Sequence, residues 1–103
     1  MAVLNKQEAG KRLKKLNSLS GTLWKAGAKS ISANFTLSNF QEALAFVVCA
    51  GIEAEKANHH PDILMHGWKK VKITLSTHSE GGITAKDFSL AGKISKLSGV
   101  KAR

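Results

Sequence analysis

Between Asn5 and Asn17, apolar Ala9, Leu13 and Leu16 recur at helical spacing while lysines fill the opposite face, which predicts a first helix. Small, turn-forming residues from Ser18 to Gly21 break that pattern. A short strand is expected over Thr22 to Ala26 around Trp24, followed by a turn at 27–29. From Ile31 the period changes to two. Ile31, Ala33, Phe35 and Leu37 alternate with Ser32, Asn34 and Thr36, as in a strand with one buried face.

Ser38-Asn39-Phe40-Gln41 reads as a capping box that opens a second helix running to about Lys56. Its expected inner stripe is Phe40, Leu44, Val47 and Gly51, continued by Ala54 and Glu55, so Glu55 is expected at the end of the buried face. Cys49 lies inside this apolar helix and reads as core. Two strands follow, Ile63 to His66 and Trp68 to Ser76, with Gly67 marking a hairpin or bulge. Val71, Ile73 and Leu75 face one way; Lys70, Lys72, Thr74 and Ser76 face the other. After a loop at 79–82, Thr84 caps a last helix, with Asp87 three residues on. Phe88, Ala91, Ile94 and Leu97 supply its inner stripe, and 98–103 reads as a loose tail.

The order predicts an α+β fold: a four-stranded antiparallel sheet with three helices packed on its one apolar face, in the sequence α-β-β-α-β-β-α. The chain of 103 residues is expected to form a single domain, 1–103, with an ordered core of about 4–98. Composition narrows the class. Hydrophobic residues at 43% and charged residues at 22% argue against disorder. The longest nearly uncharged apolar run, Ala43 to Ile52, is too short to cross a bilayer, so no membrane association is expected. The first residues carry no long apolar core or cleavage site. A single cysteine excludes an intramolecular disulfide and four-cysteine zinc folds, which points to a reducing, cytoplasmic setting.

The net charge is +9, concentrated at the two ends. Such a chain is attracted to polyanions. A nucleic-acid partner is nonetheless not expected: aromatics are 6%, and neither an arginine-rich recognition helix nor an aromatic-glycine RNA motif is present.

All four histidines, His59, His60, His66 and His78, fall within one stretch of twenty positions. Histidine titrates nearest neutral pH and is the natural proton donor and acceptor. Pro61 stiffens the chain after the adjacent pair and pushes His60 to an extended conformation. Zinc is one reading, but no His-x-x-x-His pair exists and adjacent histidines chelate one ion poorly. Idle surface histidines are a second. Metal-free general acid–base catalysis is the third. No nucleophile elbow, phosphate-cradling loop or dinucleotide fingerprint competes with it.

Three segments go further. Glu53-Ala54-Glu55-Lys56-Ala57-Asn58-His59-His60-Pro61-Asp62-Ile63, then Val71 to His78, then Gly81-Gly82-Ile83-Thr84-Ala85-Lys86-Asp87, strongly resemble the pterin-4a-carbinolamine dehydratases of microbial type. Phe35 to Phe40 with Ala43, Phe46 and Val47 fits the same family's strand-to-helix passage, so the resemblance covers roughly Leu4 to Leu97. Ala33 stands where a basic residue is frequent in the family and Trp68 where tyrosine is frequent; the histidine triad is intact.

The resemblance implies a hydro-lyase that removes water from a 4a-hydroxytetrahydropterin to give the quinonoid dihydropterin, in pterin cofactor recycling. It implies His59 and His78 as acid–base groups and His60 as the residue that binds and orients the pterin. Glu55 is a candidate to hold one imidazole, and Asp87 either supports the site or only caps its helix. Asn58, Ser76, Thr77 and Ser79 complete the expected substrate-binding set with the three histidines. No metal and no organic cofactor are implied, and the assembly expected is a homodimer or homotetramer. The alternative the resemblance leaves open is a non-catalytic interaction protein, a dimerisation partner or transcriptional co-regulator.

Overall fold

The computed structural model describes residues 2–97. Seven elements follow one another: α1 (Lys6–Ser20), β1 (Lys25–Ala26), β2 (Ile31–Thr36), α2 (Phe40–Ala57), β3 (Asp62–His66), β4 (Lys70–Leu75) and α3 (Ala85–Ser95). A short 3₁₀ turn, His78–Glu80, lies between β4 and α3. The α+β order expected from the sequence is present.

The four strands form an antiparallel sheet in the order β1-β2-β4-β3. Register brings Ile31 opposite Leu75, Ala33 opposite Ile73 and Phe35 opposite Val71. On β3, Ile63 and Met65 meet Ile73 and Val71. These side chains share one face, and the apolar residues of all three helices pack on it. Trp24, Phe35 and Phe46 tie the layers together: Trp24 meets Phe35 edge-on at 6.0 Å, and Phe35 meets Phe46 at 4.8 Å. Ser32, Asn34, Thr36, Lys70, Lys72 and Thr74 lie on the other face, which no helix covers among the described residues.

Local chemistry sets the boundaries, and four of its departures from the sequence reading shape the core; a fifth shortens the strand expected over Trp68 to Ser76 to Lys70–Leu75, with Trp68 in the turn at φ 53°. The first helix does not stop at Asn17 but continues to Ser20, where Ser20 Oγ donates to the Leu16 carbonyl and Gly21 closes the end with φ +69°. The strand expected over 22–26 shrinks to Lys25–Ala26. Asn17 explains this: its side chain accepts from the Trp24 N–H (2.8 Å) and donates to the Trp24 carbonyl (3.0 Å), occupying the groups a sheet partner would use. The second helix is capped by Asn39, not Ser38. Asn39 Oδ1 accepts from the Glu42 N–H, and the Glu42 carboxylate reaches back to the Ser38 N–H.

The fourth departure is the orientation of α2. Its buried face is Ala43, Phe46, Ala50 and Ala54; Phe40, Leu44, Val48 and Ile52 are exposed by about half. Cys49 is exposed rather than core, and Glu55 is exposed rather than buried. The helix is apolar almost all round, so periodicity alone does not choose a face. Close approach to the sheet does, because alanines let the backbone settle against it while Phe46 reaches Phe35. The last helix matches expectation: Thr84 and Asp87 form a reciprocal cap, and Phe88, Ala91 and Ile94 are buried. The expected tail at 98–103 lies outside the described residues. Among the described residues, no helix is long and apolar enough to cross a membrane.

Candidate functional site

The exit of α2 sets the first half of the site. Asn58 takes the left-handed conformation (φ 50°, ψ 44°), which asparagine tolerates better than most residues. The His59 N–H donates back to the Ala54 carbonyl at 3.1 Å, closing the helix end. This sharp stop turns His59 inward, where it is buried, and leaves the next residue, His60, exposed. Pro61 then leads into β3.

The second half comes from the far end of β4. Thr77 and Gly82 pair as an isolated bridge, and the 3₁₀ turn His78–Glu80 bulges between them. Gly81 completes the turn with φ +76°, a conformation that strains a side-chain-bearing residue. His78 is thus displayed at the rim. Its imidazole makes no hydrogen bond among the described residues.

Asp87 joins the two halves. It is fully buried, yet both carboxylate oxygens are used. Oδ2 accepts from the Thr84 N–H (2.9 Å) and from the Thr77 hydroxyl (3.0 Å). Oδ1 meets His59 Nε2 at 2.5 Å. Directions follow from the donors available. The Lys86 N–H donates to Thr84 Oγ1 at 3.2 Å. The Thr84 hydroxyl donates to Thr77 Oγ1 at 2.7 Å, since the Thr77 proton is committed to Asp87. An ionised carboxylate only accepts, so His59 carries its proton on Nε2 and presents a bare Nδ1 in the neutral ring. A second pair repeats the pattern on the surface: His60 Nε2 lies 2.9 Å from Glu55 Oε1, both side chains mostly solvated. The exposed pair contributes little to stability; its geometric effect is to fix the His60 ring.

Asn58, His59, His60, Ser76, Thr77, His78 and Ser79 all line one cavity of about 370 Å³. The seven residues of the expected substrate-binding set therefore surround the same space. The hydroxyls of Ser76 and Thr77 are engaged internally, Ser76 Oγ donating to the Lys29 carbonyl at 2.8 Å. Glu55 and Asp87 are absent from the lining and reach it only through His60 and His59. His66 lies on β3 opposite Lys70, away from the cavity. Among the described residues, no group of three or more His, Cys, Asp or Glu side chains is arranged to hold a metal ion.

One lining residue escaped sequence reasoning: Lys86. Its signal was the Thr84/Asp87 cap itself, which fixes the first turn of α3 beside His59 and so carries Lys86 to the same mouth. A larger cavity, about 730 Å³, lies between the N-terminal segment and the turns at 26–29 and 81–83; none of the histidines lines it.

Known proteins are similar to this chain in sequence and fold. The family model described as pterin 4 alpha carbinolamine dehydratase matches residues 2–97. A protein of Roseiflexus castenholzii named "putative pterin-4-alpha-carbinolamine dehydratase" is 44% identical over 96 residues, covering 93% of this chain and 97% of its own. A protein of the same name from Afipia carboxidovorans is 45% identical over 71 residues, 69% of this chain and 70% of its own. The crystal structure of a transcriptional coactivator/pterin dehydratase from Brucella melitensis superposes with a TM-score of 0.81 at 31% identity, over 94% of this chain and 99% of that one. A pterin dehydratase-like protein described as a RuBisCO assembly factor in the α-carboxysome shares the fold at a TM-score of 0.61 and 19% identity, over 74% of this chain and 87% of that one.

Proposed function

The chain belongs to the pterin-4-alpha-carbinolamine dehydratase family, and on that premise we propose that it is a hydro-lyase acting on 4a-hydroxytetrahydropterins by histidine acid–base catalysis. The observation that carries the reading is the convergence of His59, His60 and His78 on one cavity from two separate parts of the chain.

The reaction breaks the C4a–O bond and removes the proton of N5, forming the C4a=N5 double bond and releasing water. Hydroxide leaves poorly unless it is protonated as it departs. One group must donate that proton and another must accept the proton from N5, each transfer worth about 10²–10⁴-fold. His59 suits the accepting role. Its Nε2–H is held by Asp87, which leaves Nδ1 free to take a proton and stabilises the imidazolium that results. His78, at the rim and without a hydrogen-bond partner among the described residues, suits the donating role. His60, steadied by Glu55, binds the pterin and orients it, with Asn58 and Ser79 presenting polar atoms to its edge and Ser76 and Thr77 walling the cavity. Asp87 and Glu55 are positioning residues. No metal or organic cofactor enters this scheme, and its product rejoins a cycle that reduces pterin cofactors.

The active unit in this reading is a homodimer or homotetramer of single-domain chains in the cytoplasm. Support comes from the half-exposed apolar stripe Phe40, Leu44, Val48 and Ile52 on α2. It comes also from β3, which ends the sheet with one edge unpaired by another strand among the described residues. The same stripe favours a second reading, a non-catalytic partner of other proteins, in keeping with the coactivator half of the Brucella protein's description. The deciding measurement is stopped-flow dehydration of synthetic 4a-hydroxytetrahydropterin, read above its fast uncatalysed background. Acceleration by the purified chain that disappears in a His59→Ala/His78→Ala variant is expected. Full activity in that double variant overturns the assignment, and an inert wild type favours the partner role.

A further inference from the structure

A second chamber adjoins the histidine cavity. It holds about 270 Å³ and is lined by Ala57, Ala85, Ser89 and Leu90, together with His59 and Lys86. The last two also line the first cavity, so the two spaces share those walls. Their chemistry differs. The first is surrounded by imidazoles, an amide and hydroxyl-bearing residues. The second offers methyl groups, a leucine edge and one hydroxyl.

Lys86 stands where the two meet. Its backbone is fixed in the first turn of α3 through Thr84 Oγ1, while its side chain is exposed. Among the described residues its ammonium has no ion-pair partner. The two carboxylates that hold the site's histidines are already engaged, Asp87 by His59, Thr77 and Thr84, and Glu55 by His60. Neither chamber is lined by an acidic side chain among the described residues. An uncompensated cation beside an apolar recess matches a ligand with an apolar spacer that ends in an anion.

Resting on the dehydratase reading, we propose that the second chamber receives the substituent at C6 of the pterin ring, and that Lys86 makes the site prefer an aryl spacer bearing a carboxylate over a short neutral tail. The bicyclic head occupies the histidine cavity. The aryl group lies against Ala57, Ala85 and Leu90. The flexible lysine stem brings its point charge to the carboxylate without a fixed geometry. A neutral hydroxyalkyl tail leaves the ammonium to water.

The test compares two 4a-hydroxytetrahydropterins, one with a dihydroxypropyl tail and one with a benzoylglutamate tail. Wild type should show a kcat/KM for the benzoylglutamate compound about fivefold above that for the neutral one, the size of a single solvent-exposed charge pair. The preference should shrink as salt is raised. Lys86→Gln should bring the ratio to about one, Lys86→Arg should keep it, and Ser89→Glu should invert it, because a like charge then lines the recess. A wild-type ratio near one, or a Lys86→Gln variant that lowers both substrates alike and keeps the ratio, overturns the proposal. Turnover of both substrates without discrimination overturns this inference and leaves the dehydratase reading standing; turnover of neither sinks the two together.

Discussion

At the scale of single residues, Asp87 carries the most consequence. It is a helix cap, a buried acceptor for two hydroxyl-bearing residues and the partner of His59. Asp87→Asn keeps the shape but replaces an acceptor with a donor facing other donors. It should cost about 1–3 kcal/mol of stability and lower kcat by about 100-fold, with KM nearly unchanged; thermal unfolding and steady-state dehydration measure the two effects. The histidines should separate by kinetic signature. His59→Ala and His78→Ala should lower kcat with modest change in KM, whereas His60→Ala should mainly raise KM. His66→Ala should be silent, since His66 lies across from Lys70 and outside the cavity. An impaired His66 variant would mean that the site has been put in the wrong place. Chelator treatment should leave the rate unchanged; loss of activity with loss of stoichiometric zinc would overturn the metal-free scheme.

At the scale of elements, helix ends are where reading and structure part, by three residues at the end of α1 and by one at the start of α2. Ser38 and Asn39 are both good caps by residue type, and only the backbone path decides that Asn39 receives the Glu42 N–H. Asn39→Ala should therefore cost about 1 kcal/mol, while Ser38→Ala, which keeps the backbone donor to Glu42, should be near neutral. Denaturant unfolding of the two variants distinguishes them. On α1, Gly10 sits inside the helix with open space where a Cβ would be. Gly10→Ala should stabilise by about 0.5–1 kcal/mol, a rise in Tm of about 2–8 °C for a domain of this size. Strands β2 and β4 were legible because Ile31, Phe35, Val71, Ile73 and Leu75 alternate cleanly with polar residues. The face of α2 was not, because apolar residues surround the helix and its contact with the sheet is set by small alanines instead of the largest side chains.

At the scale of the whole molecule, the half-exposed row Phe40, Leu44, Val48 and Ile52 is the surface that assembly must account for. A homo-oligomer that covers it should dissociate when a charge is placed at its centre. Light scattering of the wild type should report a dimer or tetramer at micromolar concentration, and Val48→Glu should shift the mass towards a smaller species without unfolding, since Val48 is already solvent-exposed in the single chain. A wild type that scatters as a single chain, or a Val48→Glu variant of unchanged mass, counts against this surface as the interface.

The sequence by itself determined the element order, the buried face of the sheet, the cap on α3 and the residues that could exchange protons. Each of these depends on local spacing: a period of two, a period near 3.6, or a polar residue three positions from its partner. Tertiary structure alone decided the rest. His59 and Asp87 are twenty-eight positions apart, and no local pattern reveals that the end of α2 and the first turn of α3 meet over Thr77. The same meeting turns a helix cap into a support for an imidazole and brings Lys86 to the cavity. It also faces Glu55 outward to His60. Local rules say which groups a segment offers; close packing across the chain says which of them touch.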